Sequence, residues 1–207
     1  MLKTVKNIRK LYNAKLLFVS SDEKINQVIG NEFDDYFKEL KVVSDLKDEK
    51  NLVPDFSYLA TQKDDKSTIV IVRSLIPIGL HTEKETRLTL AAGKKMLLKF
   101  SCCTETNFAT TSGRRCWQGD ELIECMAMPR LKNAGFDVED IKIRGFERLN
   151  MNKNNNSSSN SNWYLQGALI DAQVVVKEPD LAEKSLILGV SKKRSFGFGF
   201  VRFSDLV

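Results

Sequence analysis

The apolar positions of this chain follow two periods, and the switches between them mark out elements. Residues 13–20, with Leu16, Leu17, Phe18 and Val19 in succession, read as a strand. Ser21 and Asp22 offer an N-cap, and Ile25, Val28, Ile29, Phe33, Tyr36, Phe37 and Leu40 follow at helical spacing. Gly30 weakens that helix without ending it. Residues 55–61 and 67–75 read as two strands about a polar turn at 62–66. Residues 76–92, with Pro77 and Gly79, read as a connector. The first half therefore spells β-α-β-β.

Residues 94–101 open the second half as a strand, followed by a loop of Thr, Ser, Gly and Arg over 104–119. Asp120 caps a helix that runs to about Ala134, with a kink or restart expected at Pro129. Gly135 is placed as its C-cap, and residues 137–148 read as a strand. The Asn- and Ser-rich run 151–162 holds too little apolar surface to order itself and reads as a flexible hairpin loop. A long strand over 163–176 follows. Pro179 sits in the first turn of a helix over 180–188, and a last strand is expected over 196–203. This half spells β-α-β-β-α-β. The first half fits the same unit with its last helix and strand degraded or hidden in 76–92. The fold expected is α+β, two ferredoxin-like units in tandem with antiparallel sheets. Residues 1–80 form the first unit, 81–92 a connector and 93–207 the second unit.

Charge adds a hint about partners. The net charge is +5, and the excess collects at Lys3, Lys6, Arg9 and Lys10, at Lys94, Lys95 and Lys99, at Arg114 and Arg115, and at Lys192, Lys193 and Arg194. An acidic run (Asp34, Asp35, Glu39, Asp45, Asp48, Glu49) lies in the first half. Such polarity steers a polyanion to one side, although any single cluster is ordinarily just solvated surface. No apolar stretch approaches the ~18 residues of a membrane helix, and the basic N-terminus lacks an apolar core. The expectation is a cytoplasmic protein with no membrane partner. The four cysteines form no C-x-x-C pair and the single histidine lies far upstream. They read as reduced thiols, buried or half-buried, with no metal and no cofactor expected.

The most informative segment runs from Gly189 to Phe203. Three glycines, Gly189, Gly197 and Gly199, allow backbone conformations and close approaches that a side chain would block. Lys192, Lys193 and Arg194 lie between them, so the loop can lay amides and cations against a phosphate backbone. Phe196, Phe198 and Phe200 alternate, and on one strand would share a face, as core or as stacking platforms. Residues 197–203 also satisfy an RNA-recognition-motif octamer, except that Phe196 stands at its basic first position. In that module a helix and a strand must follow the octamer, and here only residues 204–207 do.

The spacing of Gly189, Arg194, Phe196, Gly197 and Gly199 before a final strand resembles the glycine-rich loop of the CRISPR repeat-associated RNA-binding superfamily. Within it, the likeness is to the CasE-type repeat-RNA endoribonucleases of Cascade complexes. Lys94–Phe100 resembles the strand that opens the family's second domain, and residues 133–136 resemble its helix exit. Residues 167–170 and 177–180 resemble the strand and turn before its last helix. Ser191 departs from the loop pattern, which has a second glycine there, and Arg194 stands at its basic position. The resemblance implies that CRISPR repeat RNA and other Cascade-type subunits are the partners. It also implies metal-independent cleavage, in which the ribose 2′-hydroxyl attacks the adjacent phosphate and leaves a cyclic phosphate.

That chemistry needs a base, an acid and cations for the developing charge, and histidine suits the first two roles. The family's histidine lies early in the first helix, where this chain has Asn26, which exchanges no proton usefully. His81, in the connector, is the candidate in its place; the alternative is an ordinary surface histidine. Lys84, Tyr36 and Arg114 are further candidates by analogy with relatives that use such residues. Arg114 and Arg115 read as phosphate binders or as solvated charge. Two other roles stay open: a non-cleaving RNA-binding subunit, and a backbone subunit of the same complex.

Overall fold

The computed structural model describes residues 9–19, 56–64, 67–107, 114–152 and 162–206. The helix expected between Ser21 and Leu40, with Asn26 and Tyr36, lies outside the described residues, as does the centre of the Asn- and Ser-rich loop. Strands β1 (Arg9–Val19), β2 (Phe56–Asp64), β3 (Ser67–Ser74) and β4 (Lys84–Leu88) form a sheet in the order β2-β3-β1-β4. Strands β5 (Lys95–Cys103), β8 (Phe136–Asn152), β9 (Asn162–Val176) and β10 (Arg202–Asp205) form a second sheet in the order β10-β5-β9-β8. Every pairing in both sheets is antiparallel. The two orders are the same pattern, with each unit's first and third strands central and its second and fourth at the edges. This is the tandem ferredoxin-like arrangement that the element order implies.

The structure sharpens the expected elements in three places. The stretch 76–92, where the unit's last helix and strand were expected to be degraded or hidden, does hold that strand, β4, paired with β1 from Arg9↔Leu88 to Asn13↔Lys84. Only Leu88 of this edge strand is buried, so no alternation announced it. The loop over 104–119 contains a small hairpin, β6 (Glu105–Asn107) against β7 (Arg114–Cys116). The strand expected over 196–203 is a short 3-10 turn, Arg194–Phe196, then left-handed backbone at Gly197 (φ +88) and Gly199 (φ +84), and only then β10. Alternating Phe and Gly imitated a period of two, and the positive φ angles break it. Phe196, Phe198 and Phe200 consequently do not share one strand face. Phe198 packs with Cys103 and Leu165, and Phe200 lies beneath Arg73.

The break expected at Pro129 takes a specific form. Helix α1 (Gly119–Leu122) runs through a π turn (Ile123–Ala127) into α2 (Met128–Asn133), with Pro129 in the first turn of α2. Proline offers no N–H and crowds the carbonyl four residues back, and the wider turn upstream accommodates both. Gly135 caps the exit at φ +89. Helix α3 (Pro179–Leu188) starts at Pro179 as expected.

Met96, Leu98, Phe100 and Cys102 of β5 and Ala168, Ile170, Ala172 and Val174 of β9 pack against Leu122, Leu131, Leu186 and Ile187 of the helices. The period of two then sends Lys99, Ser101 and Cys103 to the opposite face. The first sheet has its own core of Ala14, Phe56, Tyr58, Val70, Val72 and Ile78. Cys102 and Cys103 are buried, but Cys116 and Cys125 are exposed, which corrects the expectation that all four are at least half-covered. Among the described residues, no helix is long and apolar enough to cross a membrane.

Candidate functional site

The segment after α3 is a loop that crosses itself. Gly189 leaves the helix with φ 89 and ψ 157. A Cβ on Gly189 would lie 2.7 Å from the carbonyl oxygen of Gly199, and a Cβ on Gly199 would lie 2.5 Å from the amide nitrogen of Ser191. Glycine at both positions is therefore a steric condition of the crossing. The Val190 N–H donates to the Gly199 carbonyl (3.0 Å), and the Gly199 N–H donates to the Ser101 carbonyl on β5 (2.7 Å). Ser191 Oγ accepts from the Cys103 N–H (3.0 Å) and from Arg130 Nη1 (3.0 Å). Gly197 rests on the Tyr58 ring of the first sheet, with 3.3 Å between a built Cβ and Cε2.

This geometry sorts the three consecutive cations. Lys192 and Lys193 are exposed, and Lys193 is in the left-handed region at φ 61. Arg194 is half-buried, and its Nη1 donates to the Leu188 carbonyl at 2.9 Å. Two cations thus face solvent from the loop's tip while the third braces the end of α3. The backbones of Arg114 and Arg115 lie on β7, opposite Asn107 and Thr106. His81 is exposed on the turn that enters β4. That turn is held by Thr82, whose hydroxyl donates to the Lys15 carbonyl (2.8 Å), and by Glu83, which accepts the N–H groups of Ile78 and Gly79.

The two units meet at the loop. Ser57 Oγ of β2 donates to the Ile187 carbonyl at 2.6 Å. Arg73 Nη1 of β3 donates to the carbonyls of Leu186 (2.6 Å) and Val201 (2.9 Å), and its Nε donates to Asn13 Oδ1 (3.1 Å). Its guanidinium also lies 4.4 Å from the Phe200 ring centre and 5.4 Å from that of Phe203. Burial lowers its pKa to about 10, so it stays charged at neutral pH.

Beside the loop, a cleft of about 440 Å³ opens between Leu59 and Ala60 of β2 and the helix-free face of the second sheet. Lys99, Arg144 and Arg202 line it and are exposed. Asp171, less exposed, accepts from Arg144 Nε (2.9 Å) and lies 3.8 Å from Lys99 Nζ, and Ser101 Oγ hydrogen-bonds Glu147. His81 does not line this cleft. The sequence reading missed Arg73, Arg130, Arg144 and Arg202. Nothing in a single sequence separates a cation that meets a carbonyl from one in solvent.

No protein-family model matches the chain, and no curated protein matches it. Solved structures do match its fold. A structure of the CRISPR endoribonuclease Cse3 bound to a 19-nucleotide RNA superposes with a TM-score of 0.67 at 15% identity, over 94% of this chain and 99% of that one. The CRISPR-associated protein Cas6e from Escherichia coli K-12 gives 0.64 at 12% identity, over 94% and 100%. A chain of a CRISPR RNA-guided surveillance complex gives 0.62 at 13% identity, over 94% and 100%. At these identities the likeness is one of fold.

Proposed function

We propose that this chain binds CRISPR repeat RNA at its hairpin, processes it into guide RNA, and remains bound to the 3′ hairpin as a subunit of a Cascade-type complex in the cytoplasm. The carrying observation is the self-crossing loop, which turns Lys192 and Lys193 outward at the junction of two units whose fold matches RNA-bound CRISPR endoribonucleases. Cations held on a backbone of fixed shape suit the regular phosphate spacing of a duplex stem. In the cleft beside the loop the cations Lys99, Arg144 and Arg202 outnumber the carboxylates Glu147 and Asp171, the latter paired with Lys99 and Arg144. Arg114 and Arg115, on β7, are further phosphate ligands in this reading.

The reaction is attack of the 2′-hydroxyl on the neighbouring phosphate, with departure of the 5′ oxygen and a 2′,3′-cyclic phosphate as product. His81 is the residue proposed to move the proton, its exposure leaving it open to bound RNA. Lys192 and Lys193, exposed on the loop, are the cations proposed to offset charge on the phosphate. Incubation with repeat-hairpin RNA in EDTA tests the whole reading. Cleavage to a cyclic-phosphate product is the expected result, and failure to bind the hairpin overturns it. A second reading, RNA binding without cleavage, is favoured by the position of His81 outside the cleft and by the engagement of Arg194 with Leu188. Tight binding with intact RNA is its outcome in the same experiment.

A further inference from the structure

Arg130 meets the glycine-rich loop from an element remote in sequence. It stands on α2, and its half-buried Nη1 donates to Ser191 Oγ at 3.0 Å and to the Cys103 carbonyl at 3.1 Å, and lies 2.7 Å from Cys102 Sγ. Its Nη2 is 3.9 Å from Met126 Sδ. Each of these acceptors is neutral. Withdrawing a guanidinium from water toward neutral partners is costly, and these hydrogen bonds offset part of that cost. Three pieces of chain converge on this one group: the C-terminal end of β5, helix α2 and the entry of the loop.

Ser191 is the point where that grip reaches the loop. Its side chain is buried, and its backbone passes so close to Gly199 that no Cβ fits between them. A shift of Ser191 therefore shifts the crossing. The next two residues are Lys192 and the left-handed Lys193, the cations the loop turns outward. In the loop pattern this chain resembles, a glycine stands at Ser191 and would offer no acceptor. Arg130 and the Cys103 N–H share the Ser191 hydroxyl as their acceptor.

We propose that Arg130 is a positioning residue, which holds the glycine-rich loop in its RNA-binding form by gripping Ser191. The inference rests on the proposed RNA-binding reading for its consequence, but the grip is testable without RNA. Arg130 contacts no phosphate in this scheme; it sets where Lys192 and Lys193 stand.

The test is the affinity for repeat-hairpin RNA across a range of salt, for the wild-type chain, Arg130→Ala, Arg130→Lys, Ser191→Gly and the Arg130→Ala/Ser191→Gly double variant. Arg130→Ala is expected to bind about tenfold more weakly at every salt concentration, with an unchanged salt slope because no phosphate contact is removed. Arg130→Lys recovers part of the loss. The double variant is no weaker than the worse single one, because both changes release the same grip. Amide hydrogen exchange without RNA is measured in parallel and should accelerate at Val190 and Gly199, whose N–H groups are bonded at the crossing. Ser191→Gly leaves the helix residue intact, so its exchange decides the matter if Arg130→Ala fails to fold. Wild-type exchange in the folded variants overturns the proposal, as does a salt slope lowered by about one, which marks a direct phosphate ligand. If the wild-type chain itself binds no repeat RNA, the proposed function fails instead, and exchange alone decides whether Arg130 holds the loop.

Discussion

Arg73 Nη1 donates to the carbonyl oxygen of Val201 at 2.9 Å, so a side chain of the first sheet closes the last turn of a loop that belongs to the second unit. The same nitrogen donates to Leu186 at 2.6 Å, on α3. One guanidinium thus ties the loop's exit, the helix before the loop and the first sheet together.

Arg73→Ala should lower stability by about 3 kcal/mol, because two carbonyls lose a charged donor at a covered interface. The measurement is the urea midpoint at constant m. Arg73→Lys should recover only part, since an ammonium cannot reproduce the planar fork. An unchanged midpoint for the alanine variant would show that water replaces the guanidinium without cost.

The lysines and the arginine of the loop should behave differently in salt. Lys192→Ala with Lys193→Ala should weaken RNA binding and reduce the slope of log affinity against log salt by about 1.4 to 1.8, the share expected of two phosphate contacts. Arg194→Ala should leave the slope alone and lower stability by about 1 to 2 kcal/mol, because its guanidinium braces Leu188. Equal slopes in all variants would remove the lysines from the phosphate path.

Two glycines with positive φ give a controlled comparison. Gly93 (φ +83) has nothing within 4 Å of a built Cβ, whereas Gly199 (φ +84) has the Ser191 amide nitrogen at 2.5 Å. Gly93→Ala should cost about 1 kcal/mol, from backbone strain alone. Gly199→Ala should cost more than about 3 kcal/mol or prevent the loop from closing. Thermal melts of the two variants check the difference.

His81→Ala should slow cleavage by about 100-fold if the imidazole carries the proton, with hairpin affinity unchanged. Single-turnover rates under saturating protein separate that from a binding defect. A wild-type rate would assign the proton transfer elsewhere.

The four thiols should divide into two pairs. Burial pushes the Cys102 and Cys103 thiols up, which keeps them protonated and unreactive near pH 8. Cys116 and Cys125 are exposed and should take up iodoacetamide first. Peptide mass spectrometry after brief labelling reads this directly; early modification of Cys102 would contradict its place beneath Arg130.

How much of this could be read in advance depended on how local each cause was. The strands over 94–101 and 163–176 were legible because their core faces repeat every second residue. The helix starting at Pro179 and the cap at Gly135 follow from backbone preferences of single residues. Strand β4 could be placed only somewhere within 76–92, because an edge strand with exposed side chains has no buried face to mark its bounds. The run from Phe196 to Phe203 misled because alternation is a necessary sign of a strand and not a sufficient one.

The sequence by itself determined the main strands and the helices after residue 118, and with them the tandem α+β architecture and the loop where glycines are required. It also placed three cations inside that loop. Only the tertiary structure decided which cations face outward. Arg73 meets a carbonyl 128 residues away, and Arg130 meets a hydroxyl 61 residues away, so along the chain both look the same as Lys192 and Lys193. A propensity or a steric demand for glycine acts on neighbours in sequence, whereas a hydrogen-bond partner is set by packing, and packing brings together residues that no local pattern relates.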